Sequence, residues 1–393
     1  MPWIQGRIIR GQIDGRNVLL SEISGVNNKI ESAASDKKSV KQLSFVSVAV
    51  MYVGAIMGAG FASGREGWQF FGLFGDKAYI GITLSGVLFI LFGMMVSYIA
   101  RKKGTWDLGR IIVPGDSHLL SEIVGWIVAL LLYTIIISMS AAGGSLLNQV
   151  FSLPRAVGGI IIVVLVMITV FGNFSRLERV FRLIIPILFA IDILCCVLAL
   201  FANINESGAT SGYEPASMAP NWFLAAFIFV SYNILGTIPV IAEASVKSKD
   251  MKNGIIGAGL GGFLLMMLTL ILIMVLQKDM AYTDRLDLPM LGYAFRISDI
   301  TGFLFAAVTF AAIYSAASSL YYGFSAKLPE NRAKKWIMVA GAVIGFAAGL
   351  SGFKTIVAYL YPFMGYIGFF VMALTTANFV VTVKENRKIK NEQ

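Results

Sequence analysis

Ten long apolar stretches dominate this sequence, at about residues 43–74, 79–100, 123–151, 157–172, 183–202, 221–246, 255–276, 300–326, 336–351 and 355–383. A helix of about 20 such residues spans the roughly 30 Å of bilayer hydrocarbon, and all but 157–172 and 336–351 reach that length comfortably. Charged residues make up 14% of the chain against 57% hydrophobic ones, too little charge for a surface that faces water. The expected fold is therefore an all-α polytopic membrane protein of about ten transmembrane helices. The first apolar segment starts only at Leu43 and is too long for a cleavable signal, so residues 1–42 read as a polar cytoplasmic N-terminal extension.

A net charge of +10 ordinarily points to nucleic acid. In a membrane protein the informative quantity is instead how Lys and Arg divide between alternate loops, and no nucleic-acid partner is expected. With a cytoplasmic N-terminus, 25 of the 32 basic residues fall inside, in 1–42, 101–122, 173–182, 247–254, 327–335 and 384–393. Only Lys77, Arg155, Lys278, Arg285, Arg296 and Lys354 fall outside, and Arg65 lies within the first apolar stretch. Both termini are thus expected in the cytoplasm of a multi-pass cell-membrane protein, with 384–393 as a basic tail. Trp126, Trp222 and Trp336 fall at segment starts, where an indole suits the membrane interface. Cys195 and Cys196 are adjacent in an apolar run and His118 sits in a polar loop, so neither a disulfide framework, a metal centre, a cofactor site nor an enzyme is implied.

Ten segments divide into 43–202 and 221–383, joined by an external loop over 203–220. An odd number per set makes the second run through the membrane in the opposite sense, an inverted 5+5 repeat. Each set opens with a helix-weakening run: Gly58-Ala59-Gly60-Phe61-Ala62-Ser63-Gly64 in helix one and Asn233-Ile234-Leu235-Gly236-Thr237-Ile238-Pro239 in helix six. Gly costs about 1 kcal/mol in a helix interior and Pro about 3, and the freed backbone groups cannot face lipid. Paired interruptions therefore predict broken helices one and six around a solute cavity. The plainer readings are close packing on small residues and an ordinary proline kink. Arg65 and Glu66, directly after the glycines, are charges that a pure packing face would not carry.

The string Gly58-Ala59-Gly60-Phe61-Ala62-Ser63-Gly64-Arg65-Glu66, followed by Phe70-Phe71, resembles the first-helix signature of YkvI-type membrane proteins, a group of amino-acid permease candidates. More loosely, residues 43–383 are similar to the amino acid–polyamine–organocation superfamily with its leucine-transporter-like fold. The resemblance implies alternating access around a site between helices one, three, six and eight. Carried onto this chain, helix-one amides around Gly58, Ala59 and Gly60, with Ser63, would bind a substrate carboxylate. Tyr232, Asn233, Gly236 and Thr237 of helix six would contact the rest of the solute, although Tyr232 and Asn233 equally suit interhelical hydrogen bonds. Ser138 of helix three is a weaker candidate.

For coupling, sodium-dependent members of that superfamily use helix-eight hydroxyls and helix-one carbonyls. Ser315, Ser318 and Ser319 with Gly54 and Met57 are the corresponding residues here, or else simple packing residues. Asp192, at the midpoint of helix five, offers a proton-based alternative or a structural hydrogen bond. Arg65 is expected to form an outer gate with an acidic partner, and Glu66 to share that gate or cap an unwound helix six. Glu243 is expected to pair with Lys247. The segment 277–299 is long enough to hold short helices as a lid. The expected function is secondary transport of a small solute, an amino acid first, coupled to Na+ or H+. A solute sensor that keeps the fold without net transport is the alternative.

Overall fold

The computed structural model describes residues 42–115, 117–172, 174–202, 217–325, 328–329 and 331–392. The chain divides into Met1–Gln42 and Leu43–Gln393, and the fold below is that of the second unit. The expected N-terminal extension, save Gln42, and most of the loop over 203–220 lie outside the described residues.

The first apolar stretch forms three helices, α1 (Phe45–Ile56), α2 (Ala59–Ala62) and α3 (Arg65–Phe70). Ser44 caps α1 by accepting the Ser47 N–H at 3.2 Å. Then follow α4 (Lys77–Lys103), α5 (Leu108–Ile112), α6 (His118–Phe151), α7 (Arg155–Phe171), α8 (Phe174–Phe201), α9 (Trp222–Val246) and α10 (Met251–Leu276). Two short helices, α11 (Met280–Arg285) and α12 (Pro289–Ile297), precede α13 (Asp299–Ser325), α14 (Ala333–Gly349) and α15 (Phe353–Glu392). Asn221 and Asp250 cap α9 and α10, and Gly104 ends α4 in the left-handed conformation after three basic residues that suit a helix C-terminus.

Among the described residues, six helices are long and apolar enough to cross a membrane: Lys77–Lys103, His118–Phe151, Trp222–Val246, Met251–Arg285, Asp299–Ser325 and Phe353–Lys388. Phe45–Ile56, Arg155–Phe171 and Pro186–Phe201 are shorter apolar helices. The outer surface carries exposed Ile80, Leu130, Ile168, Phe263 and Ile344, an apolar coat that suits lipid and not water. The chain is an all-α, multi-pass membrane protein. Its helices approach closely where side chains are absent: a Cβ on Gly158 of α7 would lie 2.8 Å from the Gly144 Cα of α6.

Side-chain bonds sort the helix ends into two sides. On one side Leu43 N–H bonds the Lys247 carbonyl, Arg101 reaches the Val246 carbonyl at 2.9 Å and Lys103 meets Asn378 at 2.9 Å. On the other, Gln149 bonds the Leu288 carbonyl and Gln277 the Gly72 carbonyl, both at 3.1 Å. These are called the Leu43 side and the Asp284 side below.

Two expectations are corrected. Helix six is not broken: α9 runs unbroken from Trp222 to Val246 with Pro239 inside it. A single proline removes one donor, and neighbouring Gly236 faces open space that lets a carbonyl tilt. Asn233 donates to the Phe229 carbonyl at 2.9 Å and the Thr237 hydroxyl to the Ile234 carbonyl at 3.1 Å, so both side chains bond their own helix. His118 is the first residue of α6, behind the Ser117 cap, and not in a loop. The basic residues expected as a tail continue the last helix to Glu392.

Candidate functional site

The break in the first helix creates the site. Met57 leaves helical dihedrals at φ −69°, ψ 74°, and Gly58 N–H turns back onto the Ile56 carbonyl at 2.7 Å. The Gly54 carbonyl thereby loses the donor that a continuous helix supplies four residues on. After the single turn of α2, Gly64 at φ +77° redirects the chain into α3, a conformation that only glycine adopts freely. The Ser63 hydroxyl donates to the Gly60 carbonyl at 3.1 Å, and the Ser63 carbonyl accepts Met290 N–H from α12 at 2.8 Å.

A cavity of about 280 Å³ lies beside this break. The first helix lines it with Gly54, Met57, Gly58 and Glu66, and α9 with Tyr232, Asn233 and Gly236. Thr134 and Met139 of α6, Ser315 and Ser319 of α13, and Tyr361 and Met364 of α15 complete its wall with aliphatic neighbours. The contributions of α6, α9 and α13 extend to Val128, Val240 and Leu320, toward the Leu43 side.

The Asp284 side is shut by a polar layer. Asp284 accepts the Trp68 indole N–H at 3.2 Å and the Lys354 ammonium at 2.7 Å. Arg65, almost fully buried, lies 3.7 Å from the same carboxylate and donates to the Leu286 carbonyl at 3.2 Å and the Gln69 amide oxygen at 3.2 Å. Asp287 pairs with Arg155 at 2.7 Å and accepts from Ser145 at 2.8 Å. The expected pair of Glu243 with Lys247 is present at the far end of α9.

Glu66 is the one charged side chain on the cavity wall among the described residues. It accepts a hydrogen bond from the Tyr232 hydroxyl and is buried. Its carboxylate packs so tightly on Gly60 that a Cβ there would overlap an oxygen. The carboxylate does not cap an unwound helix six, because that helix is continuous. Tyr361 stands beside it, its ring 5.1 Å from that of Tyr232 and its hydroxyl 2.5 Å from Ser138.

Of the expected residues, Gly54, Met57, Gly58, Glu66, Tyr232, Asn233, Gly236, Ser315 and Ser319 thus meet around one cavity. Gly60, Ser63, Thr237, Ser318, Arg65 and Asp192 stand off its wall. Ala59 opens α2, and its side chain lies outside the described residues. Asp192 is buried in α8 with neither carboxylate oxygen hydrogen-bonded, and the Ser318 and Thr309 hydroxyls of α13 are likewise unpartnered. Thr134, Met139, Tyr361 and Met364 were not anticipated. Tyr361 alone carried a signal, a phenol within an apolar run beside Pro362. No three His, Cys, Asp or Glu side chains among the described residues are placed to hold a metal ion.

No family model matches the chain. The uncharacterized membrane protein YkvI of Bacillus subtilis (strain 168) is 23% identical over 344 residues, covering 84% of this chain and 93% of that protein. The uncharacterized protein YyaD of the same organism is 24% identical over 332 residues, covering 82% and 93%. Among solved structures, the inward-facing conformation of Mhp1 superposes with a TM-score of 0.58 at 13% identity, over 86% of this chain and 77% of that one. The likeness is one of fold.

Proposed function

We propose that this protein is a secondary active transporter that moves a small amine-bearing solute by alternating access, with an amino acid as first candidate and Na+ or H+ as the coupling ion. On this reading the chain crosses the membrane ten times as two inverted sets of five, with both termini in the cytoplasm. The observation that carries it is a cavity at a helix break, extended toward the Leu43 side and sealed on the Asp284 side by ion pairs. With cytoplasmic termini this is an inward-facing state, and the Arg65–Asp284–Lys354 layer is the outer gate. The fold likeness to Mhp1 supports the same architecture.

The break exposes backbone carbonyls and amides inside a low-dielectric bundle, where they bind polar groups in place of water. Ser315 and Ser319 line the same cavity as Gly54 and Met57, an oxygen set of the kind that holds a hard cation. Ser318, of the same expected cation set, is buried away from the wall, and Asp192, also off the wall, would serve coupling only through a second, proton-linked route.

Uptake of a labelled amino-acid panel into proteoliposomes, under a sodium gradient, a proton gradient or neither, tests the proposal. Accumulation under one gradient establishes a symporter and names the ion. Binding without accumulation under any gradient assigns the protein to the sensors instead.

A further inference from the structure

The charged group that faces the cavity is an acceptor, and the hydroxyls of Ser315 and Ser319 on the same wall can donate or accept. Glu66 brings a carboxylate, and the Gly54 carbonyl has lost its helical donor. Asn233 spends one of its two amide N–H groups on the Phe229 carbonyl, which leaves its oxygen and one donor. The Thr134 hydroxyl is turned to the Leu131 carbonyl at 2.7 Å. No Lys, Arg or His lines the cavity among the described residues. Arg65, the nearest cation in sequence, is committed to Asp284, Gln69 and the Leu286 carbonyl. A carboxylate in such surroundings is costly to ionise alone, and a cation entering from water stabilises its charged form.

The rest of the wall says what kind of cation. Met57, Met139, Met364, Leu131 and Ile135 present an apolar, polarizable surface that a bare metal ion would leave unused. The rings of Tyr232 and Tyr361 beside the carboxylate suit an organic ammonium by cation–π attraction. The volume of about 280 Å³ corresponds to roughly nine waters, room for a small amine with a short alkyl or aryl group. A second carboxylate finds no cation here and meets Glu66 as a like charge. The Gly60 flank that a substrate carboxylate was expected to occupy is already taken by Glu66.

We propose that the cavity is selective for small organic monoamines in their cationic form, with Glu66 as the counter-charge that holds the ammonium and Tyr232 as the residue that positions it. This rests on reading the cavity as the transport site, and among the amine-bearing solutes proposed above it puts an amine without a carboxylate in place of the amino acid as first candidate. The solute's polarity is then the reverse of that implied by the family resemblance: the ammonium, and not a carboxylate, lies at the helix-one break.

Calorimetric titration of the purified full-length protein in nanodiscs, with isoamylamine, leucine and isoamyl alcohol, each with and without Na+, tests this. Isoamylamine is expected to bind at least about tenfold tighter than leucine or the alcohol in both buffers. Glu66→Gln is expected to weaken the amine at least about tenfold and leave the alcohol unchanged. Leucine binding as tightly as isoamylamine in either buffer would overturn the proposal, as would undiminished amine binding by a folded Glu66→Gln. If that variant does not survive size exclusion, the wild-type ranking of the three ligands decides. Uptake in proteoliposomes separates the two readings: ranked binding without transport removes the transporter and leaves the amine site. Transport of a carboxylate-bearing solute, with no amine binding, does the reverse.

Discussion

At the scale of single residues, Gly60 and Glu66 act as one unit. Any side chain at position 60 must displace the Glu66 carboxylate, so Gly60→Leu should weaken solute binding sharply while the protein still inserts and elutes as wild type. The loss expected for a displaced charge-assisted contact is about 2 kcal/mol, or some 30-fold in affinity. Retained binding would remove this corner from the site. Asp192 predicts the opposite split. It is buried off the cavity wall without hydrogen-bond partners, so Asp192→Asn should leave equilibrium solute binding within about twofold, since no shared contact couples the two sites. If it carries the coupled proton, the variant loses the pH dependence of uptake; an unchanged pH profile makes Asp192 structural.

At the scale of elements, the informative case is the pair of weak points, in the first helix and in α9. The first yields a real break because several glycines cluster there and charged residues follow, so the local preference and the packing of Glu66 on Gly60 agree. The second holds because one proline costs one hydrogen bond in an otherwise continuous helix. Pro239→Ala should therefore restore a helical bond, raise the melting temperature by several degrees and leave binding within about twofold. If α9 flexes at Pro239 during transport, the same variant lowers turnover; unaltered turnover with raised stability would make Pro239 a passive kink. What was legible in the sequence follows the same division. Helix positions were readable because apolar length is a local property, and the first break because glycine and charge are local too. Thr134, Tyr361 and Met364 were not readable as cavity residues, since they lie on α6 and α15 and meet α9 only through interhelical packing. Glu66 stood out as an intramembrane charge, but its direction was set by Gly60 and Tyr232, which no spacing rule connects.

At the scale of the whole molecule, the question is which side of the membrane the cavity meets, and one latch governs it. Asp284 ties Trp68 of α3 to Lys354 of α15 and faces buried Arg65, so three parts of the chain are held together across the shut side. The latch is partly exposed, so breaking it is expected to cost about 1–2 kcal/mol, less than a fully buried pair. A shift of that size raises the population of the opposite-facing state by roughly five- to thirtyfold. Gly236 supplies the reporter, because it lines the cavity and a Cβ there meets nothing within 4 Å. In a background with Cys195 and Cys196 replaced, Gly236→Cys should react with a membrane-impermeant thiol reagent from the cytoplasmic face of oriented vesicles and be protected from the outside. Adding Asp284→Asn should raise outside labelling several-fold, because α11 and α12 then lose the charge that Lys354 and Arg65 face. They keep the Asp287 pair and bonds to backbone groups, from Arg65, Lys354 and Gln149 and between Ser63 and Met290. Wild-type labelling from the outside would reverse the assigned topology. Unchanged protection in the Asp284→Asn protein would show that packing of α12 on the first helix, and not charge, keeps the far side closed.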